Sequence, residues 1–98
     1  MDATTKEIKD RQAAGDTDFV LLDVREDYER SEFNIGGIHI PLGELTASFD
    51  RLMHHREDEI VVYCRSGKRS GMAAHLLGQA GFENVRNLEG GMLAWQAG

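Results

Sequence analysis

Apolar positions along the chain follow two different periods. Phe19-Val20-Leu21-Leu22 and Ile60-Val61-Val62-Tyr63 are continuous apolar runs, closed by Asp23 and Cys64 respectively. Runs of that length predict strands covered on both faces of a parallel sheet. Shorter strands are expected at Ile38-His39-Ile40, which Pro41 closes, and over 85–88. Between the strands the spacing becomes helical. Leu45, Phe49, Leu52 and Met53 fall at i, i+4, i+7 and i+8, predicting one helix with a core-facing side. Met72, Ala73, Leu76, Leu77 and Ala80 share one side of another, with Gly81 as its C′ residue. Thr4 followed by Glu7 has the capping-box pattern and opens a helix over 4–14 that Gly15 ends. A short polar helix is expected over 26–33, and Gly90-Gly91 leads into a last apolar turn, Met92-Leu93-Ala94-Trp95. Strands alternating with helices through short connections predict an α/β fold with a mainly parallel sheet.

Composition narrows the function classes. At 98 residues the chain (1–98) fits a single domain that buries roughly 65% of its unfolded surface. Its one cysteine excludes an internal disulfide and supplies no resolving thiol, so any sulfur chemistry must hand its product to another molecule. No run approaches the length of a membrane span, and Met1-Asp2-Ala3-Thr4 does not open a signal peptide, so the expectation is a cytoplasmic protein with no membrane partner. The formal net charge is −6, yet no Asp or Glu occurs between Glu59 and Glu83, where Arg65, Lys68 and Arg69 cluster. Local positive charge on an acidic body suits a small anionic substrate. Nucleic acid would call for a broad basic surface.

The cluster directly follows Cys64, in the order strand, Cys64, Arg65-Ser66-Gly67-Lys68-Arg69-Ser70, helix. In open parallel sheets ligands bind beyond the carboxyl ends of strands, where helix N-termini present unpaired N–H groups. A lone cysteine ending a strand is ordinarily a small buried hydrophobe. The glycine and three cations that follow Cys64 argue instead for a reactive thiol. A free cysteine titrates near ~8.5, and a helix N-terminus supplies only ~0.3–1 kcal/mol, so neighbouring cations and donors must do the rest of the activation.

Four segments together resemble the rhodanese, or sulfurtransferase, domain family: Leu21-Leu22-Asp23-Val24-Arg25-Glu26, the stretch 34–41, the loop from Cys64 to Ser70, and Leu88-Glu89-Gly90-Gly91-Met92-Leu93-Ala94-Trp95. The resemblance implies a rhodanese-like fold of about five parallel strands with helices on both faces. It also implies a cysteine that alternates between thiolate and persulfide. Cysteine phosphatases carry Cys-x5-Arg, whereas Arg69 is the fifth residue after Cys64, giving Cys-x4-Arg. The shorter cradle fits the outer sulfur of a persulfide better than a phosphoryl group, which disfavours a phosphatase-like hydrolase.

On this reading Cys64 is the catalytic nucleophile, taking sulfur from thiosulfate or another persulfide donor and passing it to a thiol or cyanide acceptor. Backbone N–H groups from Arg65 through Ser66, Gly67 and Lys68 to Arg69 form a nest for the sulfur anion. The side chains of Arg65, Lys68 and Arg69 attract the donor. Ser70 is a supporting residue. Asp23 either hydrogen-bonds the loop or, more commonly for such a position, acts as a structural cap. Arg25 either binds substrate or pairs with Glu26, Glu29 or loop backbone. His39 is expected to be a hydrogen-bonded core histidine, His54-His55 a surface pair, and Trp95 a core anchor. No metal or other cofactor is expected. The chain departs from the family pattern at Asn34 and Gly36, which stand where His and Pro are usual, and the first edge strand is reduced to Asp2-Ala3-Thr4 or missing. A second function is a persulfide-carrier or regulatory module that delivers sulfur to a protein partner.

Overall fold

A computed structural model describes residues 2–98. Strands β1 (Val20–Asp23), β2 (Ile38–His39), β3 (Glu59–Tyr63) and β4 (Asn84–Asn87) form a parallel sheet in the order β2-β1-β3-β4. Helices α1 (Thr5–Ala13), α2 (Asp27–Glu32), α3 (Leu42–Leu45), α4 (Lys68–Gln79) and α5 (Gly91–Ala97) connect or follow them. Among the described residues the sheet has four strands. The fifth, at the N-terminal edge, is reduced to one parallel bridge between Ala3 and Leu88.

The apolar runs alternate between two cores. Leu22, Val24, Ile60 and Val62 face Leu45, Leu52, Ala73, Leu77 and Phe82. Leu21, Val61 and Tyr63 face Ile8, Leu88 and Met92, with Trp95 packed alongside. Two buried faces explain why these strands read as unbroken apolar runs. They also fix the register, since Asp23 pairs with Tyr63 at the carboxyl edge, where the candidate loop begins.

Local chemistry sets most element ends. Thr4 caps α1 by accepting from the Glu7 N–H at 3.1 Å. The return half of the predicted capping box is missing, because the Glu7 carboxylate turns to the Arg86 guanidinium instead. A reciprocal box forms at α2, between Glu26 and Glu29. Gly81 takes the left-handed conformation just beyond α4, as expected of a C′ glycine.

Two helical predictions need correction. The segment from Leu45 to Met53 is not one helix: α3 lasts four residues, followed by 3-10 turns Phe49–Arg51 and Met53–His55. Bonds such as Ser48 N to Leu45 O and Leu52 N to Phe49 O close three residues apart, tightening the period towards three per turn. Leu45 and Leu52 stay buried while Met53 rotates out to 43% exposure. On α4, Ala73 and Leu77 are buried, but Met72 and Ala80 face solvent, so the buried stripe is narrower than predicted.

Candidate functional site

Cys64 is the first residue after β3, an interior strand, so its sulfur stands at the carboxyl edge of the sheet between β1 and β4. The chain then turns through Arg65, Ser66 and Gly67 into the first turn of α4. Gly67 adopts φ +98°, a left-handed conformation open to glycine at little cost. That turn aims two backbone donors at the sulfur: Gly67 N–H at 3.1 Å and Ser70 N–H at 3.3 Å. The second is one of the helix-start N–H groups that have no partner within the helix. Ser70 Oγ lies 3.3 Å from Sγ. Cys64 itself is fully buried.

Burial pushes the Cys64 thiol up. The contact with the Ser70 side chain and the hydrogen bonds from the backbone N–H groups of Ser70 and Gly67 outweigh it and hold the thiol below the ordinary cysteine range. Donors fixed around the sulfur are the main source of that lowering, and the Arg69 charge acts on it without a hydrogen bond.

The loop's carbonyls are held from the opposite side. At the start of α5, Met92 N–H donates to Cys64 O at 2.9 Å and Leu93 N–H to Arg65 O at 3.0 Å. This approach needs Gly91 at φ +54°, because a Cβ there would collide with the Cys64 and Arg65 carbonyl oxygens. With those carbonyls bound by α5, the Gly67 and Ser70 N–H groups are free to face the sulfur.

The loop cations divide. Arg65 and Lys68 are exposed and, among the described residues, form no ion pair. Arg69, expected to attract the donor, has its guanidinium paired bidentately with Glu29 on α2, at 2.7 and 2.9 Å. The Arg69 hydrogen bonds, opposed by burial, hold the Glu29 carboxyl down at about 2. Sequence reasoning offered Glu29 only as a partner for Arg25, and its pairing across forty positions has no local signature.

Asp23 does not hydrogen-bond the loop. It is fully buried and accepts from Arg25 Nε and Nη2, both at 2.9 Å. Burial raises its carboxyl, but the Arg25 hydrogen bonds prevail and the net shift is downward. The carboxylate partner of Arg25 is thus Asp23, not Glu26 or Glu29. Arg25 meets α2 only by donating to the Glu29 and Phe33 carbonyls, at 3.3 and 2.7 Å. Asn34, at the usual His, donates to Arg30 O and accepts from Gly36 N–H, closing the turn before β2. His39 Nε2 lies 2.8 Å from Arg25 O, the His54 and His55 rings meet tilted with their centres 4.0 Å apart, and Trp95 packs on the second core. Asn87, which the sequence reading passed over, joins Ser70 to Gly67 beneath the loop.

A cleft of about 370 Å³ opens beside the loop, lined in part by Tyr28, Phe33, Arg65 and Leu93. No helix among the described residues is long and apolar enough to cross a membrane.

Comparison with known proteins bears on this geometry. The sequence model of the rhodanese-like domain matches residues 4–98. A Bacillus subtilis protein provisionally named a sulfurtransferase, YtwF, is 38% identical over 94 residues, covering 95% of this chain and 87% of that protein. A second B. subtilis relative, provisionally named a sulfur carrier protein, YrkF, is 43% identical over 76 residues. That match covers 76% of this chain and 40% of the relative, so the chain spans less than half the relative's length. The solved structure of a human single-domain sulfurtransferase superposes with a TM-score of 0.80 at 29% identity, covering 98% of this chain and 95% of that one.

Proposed function

The chain belongs to the rhodanese-like domain family, and from that premise we propose that it is a sulfurtransferase working as one domain through a Cys64 persulfide. The general transferase role follows from the family and its sulfurtransferase relatives. The observation carrying the finer reading is the small cradle in which Gly67 and Ser70 N–H groups converge on a buried sulfur.

In the first half-reaction the Cys64 thiolate attacks the sulfane sulfur of a donor such as thiosulfate. The new S–S bond forms as the bond to the sulfonate breaks, sulfite leaves with the electron pair, and the anion is now the outer sulfur of the persulfide. In the second, a thiolate or cyanide attacks that outer sulfur and the Cys64 thiolate is released. The alternation predicts ping-pong kinetics. Backbone donors fixed in place stabilise the sulfur anion without reorganising. Arg65, which lines the adjoining cleft, and the exposed Lys68 draw in the anionic donor, while Arg69 anchors the loop to α2 through Glu29. The adjoining cleft, far larger than cyanide, favours a thiol acceptor. A lone reduced cysteine suits the cytoplasm, the location we propose.

A carrier reading, in which the persulfide passes to a dedicated protein, is favoured by the sulfur-carrier relative. Intact-mass measurement after brief thiosulfate treatment tests the chemistry. One added sulfur atom on the wild type, absent from Cys64→Ser and removed by cyanide or dithiothreitol, is expected. An adduct that survives in Cys64→Ser, or none from any small or protein persulfide donor, refutes it. Handover only to a protein thiol selects the carrier reading.

A further inference from the structure

Asn87, the last residue of β4, has a side chain with two fixed bonds. Its Nδ2 donates to Gly67 O at 3.1 Å, and its Oδ1 accepts from the Ser70 hydroxyl. The first bond sets the orientation of the amide: nitrogen must face the Gly67 carbonyl, so oxygen faces Ser70. A carbonyl oxygen has no proton to give, so Ser70 must be the donor. Yet the fully buried Ser70 also has its Oγ 3.3 Å from Sγ of Cys64.

A hydroxyl has one proton, and here two acceptors claim it. In the thiol state there is no conflict: Cys64 S–H donates to Ser70 Oγ, and Ser70 O–H donates to Asn87 Oδ1. In the thiolate state there is. Either Ser70 keeps its proton on Asn87 and turns a lone pair towards the anion, or it rotates to the sulfur and deprives Asn87 Oδ1 of its donor. In a persulfide the inner sulfur is neutral and carries no proton, so Ser70 bonds Asn87 with nothing lost.

We propose that Asn87 is a positioning residue that competes for the single Ser70 proton, holding unloaded Cys64 back from the thiolate and releasing that restraint once the cysteine carries sulfur. The second half of this statement rests on the sulfurtransferase reading; the first does not.

The test is an ultraviolet titration of the thiolate in wild type, Asn87→Ala, Ser70→Ala and the double variant. The chain's one cysteine is its only source of thiolate, and subtracting the Cys64→Ser trace removes the absorbance of its two tyrosines. Loosening of the loop through loss of the Gly67 carbonyl bond affects both backgrounds and cancels. With Ser70 present, Asn87→Ala should lower the Cys64 pKa by about one unit relative to its effect in the Ser70→Ala background, a tenfold gain in thiolate. No coupling, or coupling of the opposite sign, overturns the proposal. Should Asn87→Ala fail to fold, the Asn87 side-chain amide resonance is followed in wild type and Ser70→Ala. It should move with the Cys64 midpoint in the first and lose that movement in the second; equal behaviour overturns the proposal. Sulfur loading is scored separately by mass. Coupling without loading sinks the sulfurtransferase reading and leaves the proton competition standing, and loading without coupling sinks the proposal alone.

Discussion

Replacing Glu29 by Gln removes the charge that holds Arg69, and with it the tie between the candidate loop and α2. Glu29 is 12% exposed and its carboxyl is held from an ordinary 4.5 down to about 2. By linkage that depression corresponds to about 3 kcal/mol of stability. The sign follows from the direction: a depressed carboxyl contributes in full above its unfolded pKa, near 4.5, and loses its contribution as pH falls through 2. At pH 3 about 1.4 kcal/mol of it should survive. Arg69 is one-third exposed, so solvent screening reduces both figures, and the ratio is the firmer quantity. Denaturant unfolding of wild type and Glu29→Gln at pH 7, 4.5 and 3 measures it. The variant should be less stable at pH 7, and the gap should shrink to less than half by pH 3. A gap that stays constant over that interval would show that the loss is one of shape, and the assigned ion pair would be wrong.

Two further substitutions probe the support of the loop. Gly91→Ala forces a side chain into left-handed backbone and against the Cys64 and Arg65 carbonyls, and should cost about 2 kcal/mol or more. An unchanged denaturation midpoint would contradict the close approach of α5. Tyr63→Phe deletes a buried hydroxyl that donates to Gly36 O at 2.9 Å, and should cost about 1–2 kcal/mol. Because that hydroxyl serves the turn before β2, the Cys64 titration should not move; a shifted titration would place Tyr63 in the site's electrostatics.

What the sequence revealed and what it hid differ in range. Leu21-Leu22 and Ile60 through Tyr63 announced buried strands because each residue faces one core or the other. The loop from Cys64 to Ser70 was legible because its donors, its glycine and its cations are neighbours in sequence. Glu29 and Asn87 were illegible as site residues because their partners lie forty and seventeen positions away. An acid in a short polar helix and an amide at a strand end carry no mark of what they will meet. The predicted helix through Leu45 and Met53 failed for another reason. Apolar residues at i, i+4, i+7 and i+8 satisfy an α-helix, but Leu45 and Leu52 reach the core equally well through successive 3-10 turns. Arg25 was legible as an ion-pairing residue, but not its partner, since the choice among nearby carboxylates depends on which of them the fold buries.

The hold of α5 on the loop orders events during synthesis. The nucleophile, its glycine turn and the helix behind it are all made before Met92 and Leu93, whose N–H groups engage the Cys64 and Arg65 carbonyls. Until those two residues leave the ribosome, nothing on α5 restrains the carbonyls or fixes the direction of the loop's amides. The loop therefore leaves the ribosome ahead of its own support, and the sulfur acquires its finished surroundings only when α5 docks.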